Sequence, residues 1–492
     1  MNVSIEKPDG NPMRAPTSEW KLDSSGTSLT RPLRGVELMV KHSEHYNDGN
    51  FQLTFMASLE TALTNEQLKA RHEAAWWRTR RLHPIIGISF TLDTAIFTPH
   101  PTALAAKQWT TQTSHIATNT TVRDLYLALS RQVLPPACTP TMTLVVDPIR
   151  GSRGCVLHIS HTLISQGGFD ILQEYITQLA NPTTELGVKA IFSPENLSNL
   201  TPRLPQSISN AYSLLHQPTH QNIETATQVM QRSAARWSGS TIGIPIHPNW
   251  KIRSSRMHNK TISFEPHEAV TAFKSLKRLG ITLTTAFFAC MTSAIAQAYS
   301  TGTEVGAHLL FSGNGRRWID TASRNGLRPV TMPIIPGGMW IDSSDAVNLV
   351  ARSRRDLVKL AKVIAVAQEE DFASPHIIAL LDQNGPEFAK AMGAPQELPA
   401  ISRPTLTSQG NFSDTLASTP GHDRIRMTDF NTGGRNTDAN VCFALNSFRD
   451  ELRFNLLFDE RFFGPDEVVQ VGIRVAGLFR YLTGVEEVRA RL

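Results

Sequence analysis

A passage from residue 182 to about 256, rich in Pro, Ser, Thr, Asn and Gln, separates two stretches in which strand-like and helix-like segments alternate. This interruption constrains the fold most, because apolar faces recurring on both sides of a polar crossing have to be buried in two bodies. At about 100–200 residues per domain, a chain of this length suits two or three domains or one large two-lobed fold. The class is therefore α/β or α+β with two similar halves. The expected divisions are an N-terminal arm over 1–34, rich in Pro, Ser, Thr and Gly and loose, then a first lobe over 35–235. A crossover linker over 236–257 and a second lobe over 258–492 complete the division.

Local signals support the alternation. Phe51-Gln52-Leu53-Thr54-Phe55-Met56 alternates as a strand does. Thr64-Asn65-Glu66-Gln67 has the form of a capping box, opening a helix to about Leu82. His83-Pro84 closes that helix, since the residue before proline is pushed out of the helical region. A strand over 85–92 follows. Residues 142–146 and 155–161 read as strands joined by a turn-rich connection, with a helix over 169–179 after them. In the second half a strand over 258–264 precedes a helix with Pro266 near its first turn and Gly280 at its end. A buried helix over 282–299, a strand over 308–312 and a polar turn over 313–317 come next. A long helix is expected over 344–367 with Ser344 as its cap. Strands over 405–409, 424–430, 441–446 and 452–458 lead to a terminal helix from Pro465.

Composition narrows the function classes. Lys and Arg total 48 against 43 for Asp and Glu, a formal net charge of +5, too small an excess to point to nucleic acid. The Arg78–Arg81 and Arg352–Arg355 clusters read as solvated helix edges, and a mildly positive surface suits an anionic small molecule. The four cysteines are scattered without a CxxC pair, which favours free buried thiols in a reducing compartment. The first residues lack an apolar signal core, and the apolar stretch over 285–298 is too short and too polar to span a bilayer. The expectation is a cytoplasmic monomer with no membrane span and no nucleic-acid partner.

The residues with most chemical promise lie at Val156-Leu157-His158-Ile159-Ser160-His161-Thr162-Leu163-Ile164-Ser165-Gln166-Gly167-Gly168. A histidine ends a hydrophobic strand, and two glycines that permit close approach lead into a helix. A histidine merely satisfied in a tight turn would look the same. His158 and His161 form an HxxH pair, but residues three apart on a strand face opposite sides of the sheet, so no metal site is expected. There is no GxxxxGK[ST], GxGxxG or GxSxG.

The His161 segment resembles the HHxxxDG motif of the condensation-domain and BAHD acyltransferase superfamily. Other segments resemble that superfamily's landmarks in order. They are Trp76-Trp77-Arg78-Thr79-Arg80-Arg81-Leu82-His83-Pro84 at an early helix end, Asn314-Gly315-Arg316-Arg317 at a strand end, Thr407-Ser408-Gln409-Gly410-Asn411 at a later polar strand end, and Asp429-Phe430-Asn431-Thr432-Gly433-Gly434 as a loose DFGWG loop. Leu452 to Glu460, with Phe463 and the helix after Pro465, resembles the closing strand and helix. The arrangement is most like fungal stand-alone members resembling trichothecene O-acetyltransferases. The resemblance implies two chloramphenicol-acetyltransferase-like lobes with mixed sheets and a tunnel between them. It implies His161 as general base, with Ser165, Gly168, Arg316, Ser408 and Asn411 around the substrates, and no bound cofactor. The implied reaction moves an acyl group, acetyl above all, from coenzyme A as co-substrate to a hydroxyl or amine of a small secondary metabolite. A carrier-protein donor is an open alternative.

The motif is altered here: Ser160 stands for its first histidine, Ser165 for its aspartate and Gln166 for its glycine. Arg316 would then lose its usual acidic partner, leaving Asp170, an anionic substrate group or solvent to meet it. Ser408 and Asn411 read either as oxyanion donors or as ordinary turn hydrogen-bonders. Such changes also fit a repurposed enzyme that carries out a cyclisation or rearrangement, or a non-catalytic binding protein.

Overall fold

The computed structural model describes residues 19–135, 139–164, 167–181, 192–237, 240–319, 334–343, 348–371, 374–393, 398–412 and 425–485. Where the composition predicts a loose arm, the segment from Glu19 onward instead forms β1 (Lys21–Leu22) and β2 (Leu29–Pro32). The apolar side chains among its polar residues fasten it: Trp20, Leu29 and Leu33 are buried, and the Trp20 indole donates to the Pro205 carbonyl at 2.9 Å. Next comes α1 (Val36–Tyr46), a helix that the sequence pattern does not announce, and β3 (Leu53–Thr61).

Helix α2 (Asn65–Leu82) carries the predicted capping box, with Thr64 N donating to Gln67 Oε1 at 2.9 Å and Gln67 N donating to Thr64 Oγ1 at 3.2 Å. Pro84 then starts a single 3₁₀ turn, so the following strand, β4 (Ile88–Phe90), begins three residues later than its apolar run suggests. The first half continues with β5 (Thr94–Phe97), α3 (Ala103–Thr113), β6 (Ser114–Ala117), α4 (Val122–Leu129), β7 (Thr141–Asp147), β8 (Ser152–Ile159) and α5 (Gly168–Ala180). The crossing region holds α6 (Leu197–Leu200), α7 (Ile208–Ser213), α8 (His220–Trp237) and β9 (Ile244–Pro245).

In the second half β10 (Met257–Phe264) leads to α9 (Pro266–Leu279), which Gly280 ends in the left-handed conformation at φ 66°. Helix α10 (Leu283–Tyr299) is buried from Thr285 to Ala296, because small and apolar side chains occupy all of its faces there. Strands β11 (Gly306–Asn314) and β12 (Ile334–Asp342) precede α11 (Arg354–Asp371). Residues 344–347 lie outside the described residues, and the helix expected from Ser344 starts ten residues later. Ser353 is its cap, its hydroxyl accepting from Asp356 N at 3.2 Å. Then follow α12 (Ile377–Gln383), α13 (Gly385–Gly393), β13 (Ile401–Ser402), β14 (Thr405–Asn411), β15 (Ile425–Gly434), β16 (Cys442–Phe448), β17 (Glu451–Asp459) and α14 (Pro465–Thr483).

Two mixed sheets organise these elements. The second-lobe sheet has the order β10-β17-β16-β14-β11-β12 and covers α10, whose Phe287, Phe288, Met291 and Ile295 centre a large core. The first-lobe sheet has the order β15-β3-β8-β7-β6. Its edge strand β15 comes from the second half of the sequence, pairing antiparallel to β3 from Ile425 opposite Thr61 to Gly434 opposite Leu53. The second half thus lends a strand to the first lobe, and Phe412, Phe430 and Phe448 join that lobe's core.

One expectation about charge is corrected. Arg80 is not on a solvated helix edge but 1% exposed, held by Glu195 through Nε at 2.9 Å and Nη2 at 3.0 Å and by the Thr98 carbonyl. The Trp77, Phe97 and Trp109 rings surround its guanidinium. Cys155 and Cys290 are buried free thiols. Among the described residues no single helix is long and apolar enough to cross a membrane.

Candidate functional site

Strand β8 lies inside the first-lobe sheet, paired with β3 on one side and β7 on the other, and its ladder ends at Ile159. His158 is within the strand, opposite Thr54 and Thr141, and buried. Burial first, and the nearby Arg435 charge second, push its pKa down to about 4. His161 stands beyond the strand, in a turn over 161–163, rather than at the strand's last position. The two rings therefore sit on different elements. No group of three or more His, Cys, Asp or Glu that could hold a metal ion occurs among the described residues.

The turn is held by a residue the sequence does not mark. Ser160 Oγ donates to Glu44 of α1, 2.7 Å from Oε1 and 2.8 Å from Oε2, and accepts from Thr162 N at 3.1 Å. The backbone N–H of His161 donates to the same Glu44 Oε1 at 2.9 Å. Ser160 is 0% and Glu44 4% exposed. Burial raises the Glu44 carboxyl pKa, against the opposing pull of Ser160, the Lys41 charge and the backbone N–H groups of the turn. Burial also depresses the His161 imidazole to about 4, only partly offset by backbone groups at His161 and Ile164. Its Nδ1 is sealed from solvent and makes no hydrogen bond of good geometry. The ring is therefore neutral at pH 7.

Gly168 opens α5 where a Cβ would lie 2.4 Å from the Phe55 ring, so only glycine lets the helix start so close to β3. The next residue, Phe169, packs edge-on to Phe55 with centroids 5.2 Å apart, and against Phe412 at 3.8 Å and Phe430 at 4.8 Å. Phe412 directly follows β14, and its N–H donates to the Ser447 carbonyl at 2.9 Å. These rings bring the end of the second-lobe strand β14 onto the helix start that follows the His161 turn.

Along β14, Gly410 adopts φ 88° and Gln409 is skipped in the pairing with β16, a bulge of the kind that re-aims neighbouring side chains. Ser408 precedes that bulge and accepts from Thr284 Oγ1, in the first turn of α10, at 2.9 Å. Asn411 is exposed at the strand's end, opposite Ser447. Arg316 lies in the 3₁₀ turn after β11 (Gly315–Trp318), but its side chain falls outside the described residues. Ser165 and Gln166 fall outside them entirely, and Asp170 is exposed in the first turn of α5.

The structure thus joins the start of α5, at Gly168 and Phe169, to the residue that follows Asn411 at the end of β14, with Ser408 anchored to the second lobe. Sequence reasoning missed Glu44, Thr284 and Phe412. Two cavities of about 580 and 190 Å³ lie away from His161. The first is lined by Lys69, His72, Glu73 and His115, the second by Met56, Tyr126, Thr261, Asp429 and Arg453.

No protein-family profile matches the chain. By sequence it is similar to the acyl-CoA-dependent acyltransferase MAC2 of Pseudozyma antarctica (strain T-34), with 28% identity over 500 residues that cover 88% of this chain and 91% of that protein. By fold it is similar to the TRI3 trichothecene 15-O-acetyltransferase from Fusarium sporotrichioides, at a TM-score of 0.76 and 15% identity, covering 97% of this chain and 100% of that one. It is also similar to the condensation domain of the Monacolin K polyketide synthase MokA, at a TM-score of 0.57 and 11% identity, covering 92% and 97% of the two chains.

Proposed function

We propose that this chain, which has the two-lobed chloramphenicol-acetyltransferase-like fold of the condensation-domain and acyltransferase superfamily, moves an acyl group from a coenzyme A thioester to a hydroxyl of a small secondary metabolite. An amine is the alternative acceptor, and acetyl is the acyl group we favour. The observation that carries this reading is His161, a half-buried, neutral imidazole on a clamped turn that leads toward α5, whose Phe169 packs on Phe412 at the end of β14. The relatives named for acyl-CoA-dependent acyl transfer lend it support from sequence.

Of the two ring nitrogens Nδ1 is the sealed one, so Nε2 is the base that meets the acceptor. Nε2 takes the acceptor's proton as its oxygen attacks the thioester carbonyl carbon. The tetrahedral oxyanion needs a donor, and Ser408 suits the role. Its Oγ already accepts from Thr284, which leaves its own hydroxyl hydrogen free to donate. Asn411, at the end of the same strand, is the second donor. When the C–S bond breaks, the imidazolium returns its proton to the leaving thiolate. Arg316 would meet an anionic group of a substrate.

The test is thiol release from acetyl-CoA by purified protein, with and without candidate alcohols, beside His161→Ala. Slow thioester cleavage that vanishes in the variant supports the reading. Absence of both turnover and coenzyme A binding overturns it, and a repurposed or non-catalytic site becomes the better account.

A further inference from the structure

We infer that Glu44 is a positioning residue for His161: one buried carboxylate clamps the residue before the base through its side chain and the base itself through its backbone N–H. The inference rests on the reading of His161 as the general base. Beyond Ile159 the β8 ladder has ended, so the backbone groups of Ser160 and His161 no longer have a neighbouring strand to bind. Glu44 takes that place. It binds Ser160 Oγ and His161 N together, while Ser160 Oγ accepts Thr162 N, so three consecutive residues are tied to a single carboxylate. Fixing the His161 N–H fixes the direction in which the imidazole leaves the backbone. A carboxylate is a costly group to bury where an apolar side chain would fill the same space, which argues for a task beyond packing. The Ser160 hydroxyl is short enough to reach it.

The clamp is also referenced to the second half of the chain. Helix α1 packs along α13. Its leading residues meet α12 and α13 through the Arg34–Asp382 ion pair and the close approach of Gly35 to Gly385, and Tyr46 at its other end lies against Gly393. The helix that sets the base is thus braced by elements that follow the second-lobe strands β11 and β12.

The test uses the full chain with Glu44→Ala, Glu44→Gln and Ser160→Ala, reading kcat, KM and the NMR titration of the His161 ring, assigned with His161→Ala. Glu44→Ala should lower kcat about 10–100-fold, the scale of a small misplacement of a catalytic group, while KM changes less than about threefold. Its His161 titration should rise from about 4 toward the ordinary imidazole value as water enters the loosened turn. Glu44→Gln keeps a carbonyl oxygen for His161 N and should stay within about threefold of the parent, with Ser160→Ala in between. Unchanged kcat and ring titration in Glu44→Ala would overturn the inference, as would a Glu44→Gln loss as large as that of Glu44→Ala. If Glu44→Ala fails to fold, Glu44→Gln and Ser160→Ala decide the matter. If the parent enzyme turns over no thioester, the acyl-transfer reading fails, while the ring titration still tests the clamp.

Discussion

The depressed pKa of His161 makes the acid limb of the rate profile a sharp test of whether the working base is desolvated. With a pKa of about 4 in the folded protein, the neutral fraction barely changes between pH 7 and pH 5, so kcat/KM should fall only to about 0.9 of its pH 7 value. A hydrated imidazole at the ordinary value would leave about 0.04 of it at pH 5. The two cases differ by more than about twentyfold, well beyond the scatter of an initial-rate assay of thiol release. Because burial raises the Glu44 carboxyl, the profile should be repeated in Glu44→Gln, where any contribution from that group disappears. Stability must move in the same sense. The folded state prefers the neutral ring, so the favourable contribution is complete above the unfolded value near 6.5 and is lost as pH falls from there toward 4. At pH 5 this single group should have withdrawn about 2 kcal/mol. The His161→Ala variant should therefore lose less stability than the parent between pH 7 and pH 5, in denaturant titrations. An activity inflection near 6.5, or equal acid sensitivity in His161→Ala, would refute a desolvated base.

Two further outcomes follow from packing. Phe412→Ala should lose about 3–5 kcal/mol of stability, because the ring is 4% exposed and lies against Phe169 and Phe430 at the seam between the lobes; a loss under about 1 kcal/mol in the denaturant midpoint would mean that the seam is not held there. Arg80→Met should lose about 3–5 kcal/mol by stranding the buried Glu195 carboxylate. Adding Glu195→Gln should restore part of that loss, and no restoration would refute the stranded-charge explanation.

How much of this molecule could be read in advance depends on how far apart in the chain the deciding contacts lie. Signals that act within a few residues were legible: the Thr64 capping box, the proline that ends α2, the left-handed Gly280 and the terminal helix at Pro465. The Ser344 cap was misplaced because several serines precede α11, and only the one whose hydroxyl meets an N–H of the first turn caps it. The burial of Arg80 was illegible because its partner, Glu195, lies 115 residues away. The transfer of β15 to the first-lobe sheet was hidden likewise, since strand alternation shows which face is apolar and not which strand is its neighbour.

The candidate site divides along the same line. His161 and Gly168 declare themselves through a local pattern, a histidine beyond an apolar strand and a glycine where a helix starts. The surroundings of His161 do not, because the carboxylate that holds its N–H comes from a helix far away in the sequence. Glu44 is 117 residues from the N–H it holds, on a helix whose polar residues include a buried Lys41 and Ser43 as well as Glu44 itself, so an amphipathic pattern could not reveal it. The replacement of the motif's first histidine by Ser160 then has a physical consequence. A short hydroxyl donates to Glu44 while accepting the Thr162 N–H, so this chain keeps the turn rigid with a carboxylate supplied from α1. If the altered motif works, it works with this buried carboxylate in the place of its first histidine's contacts, and the Glu44 and Ser160 variants decide between that and a merely structural clamp.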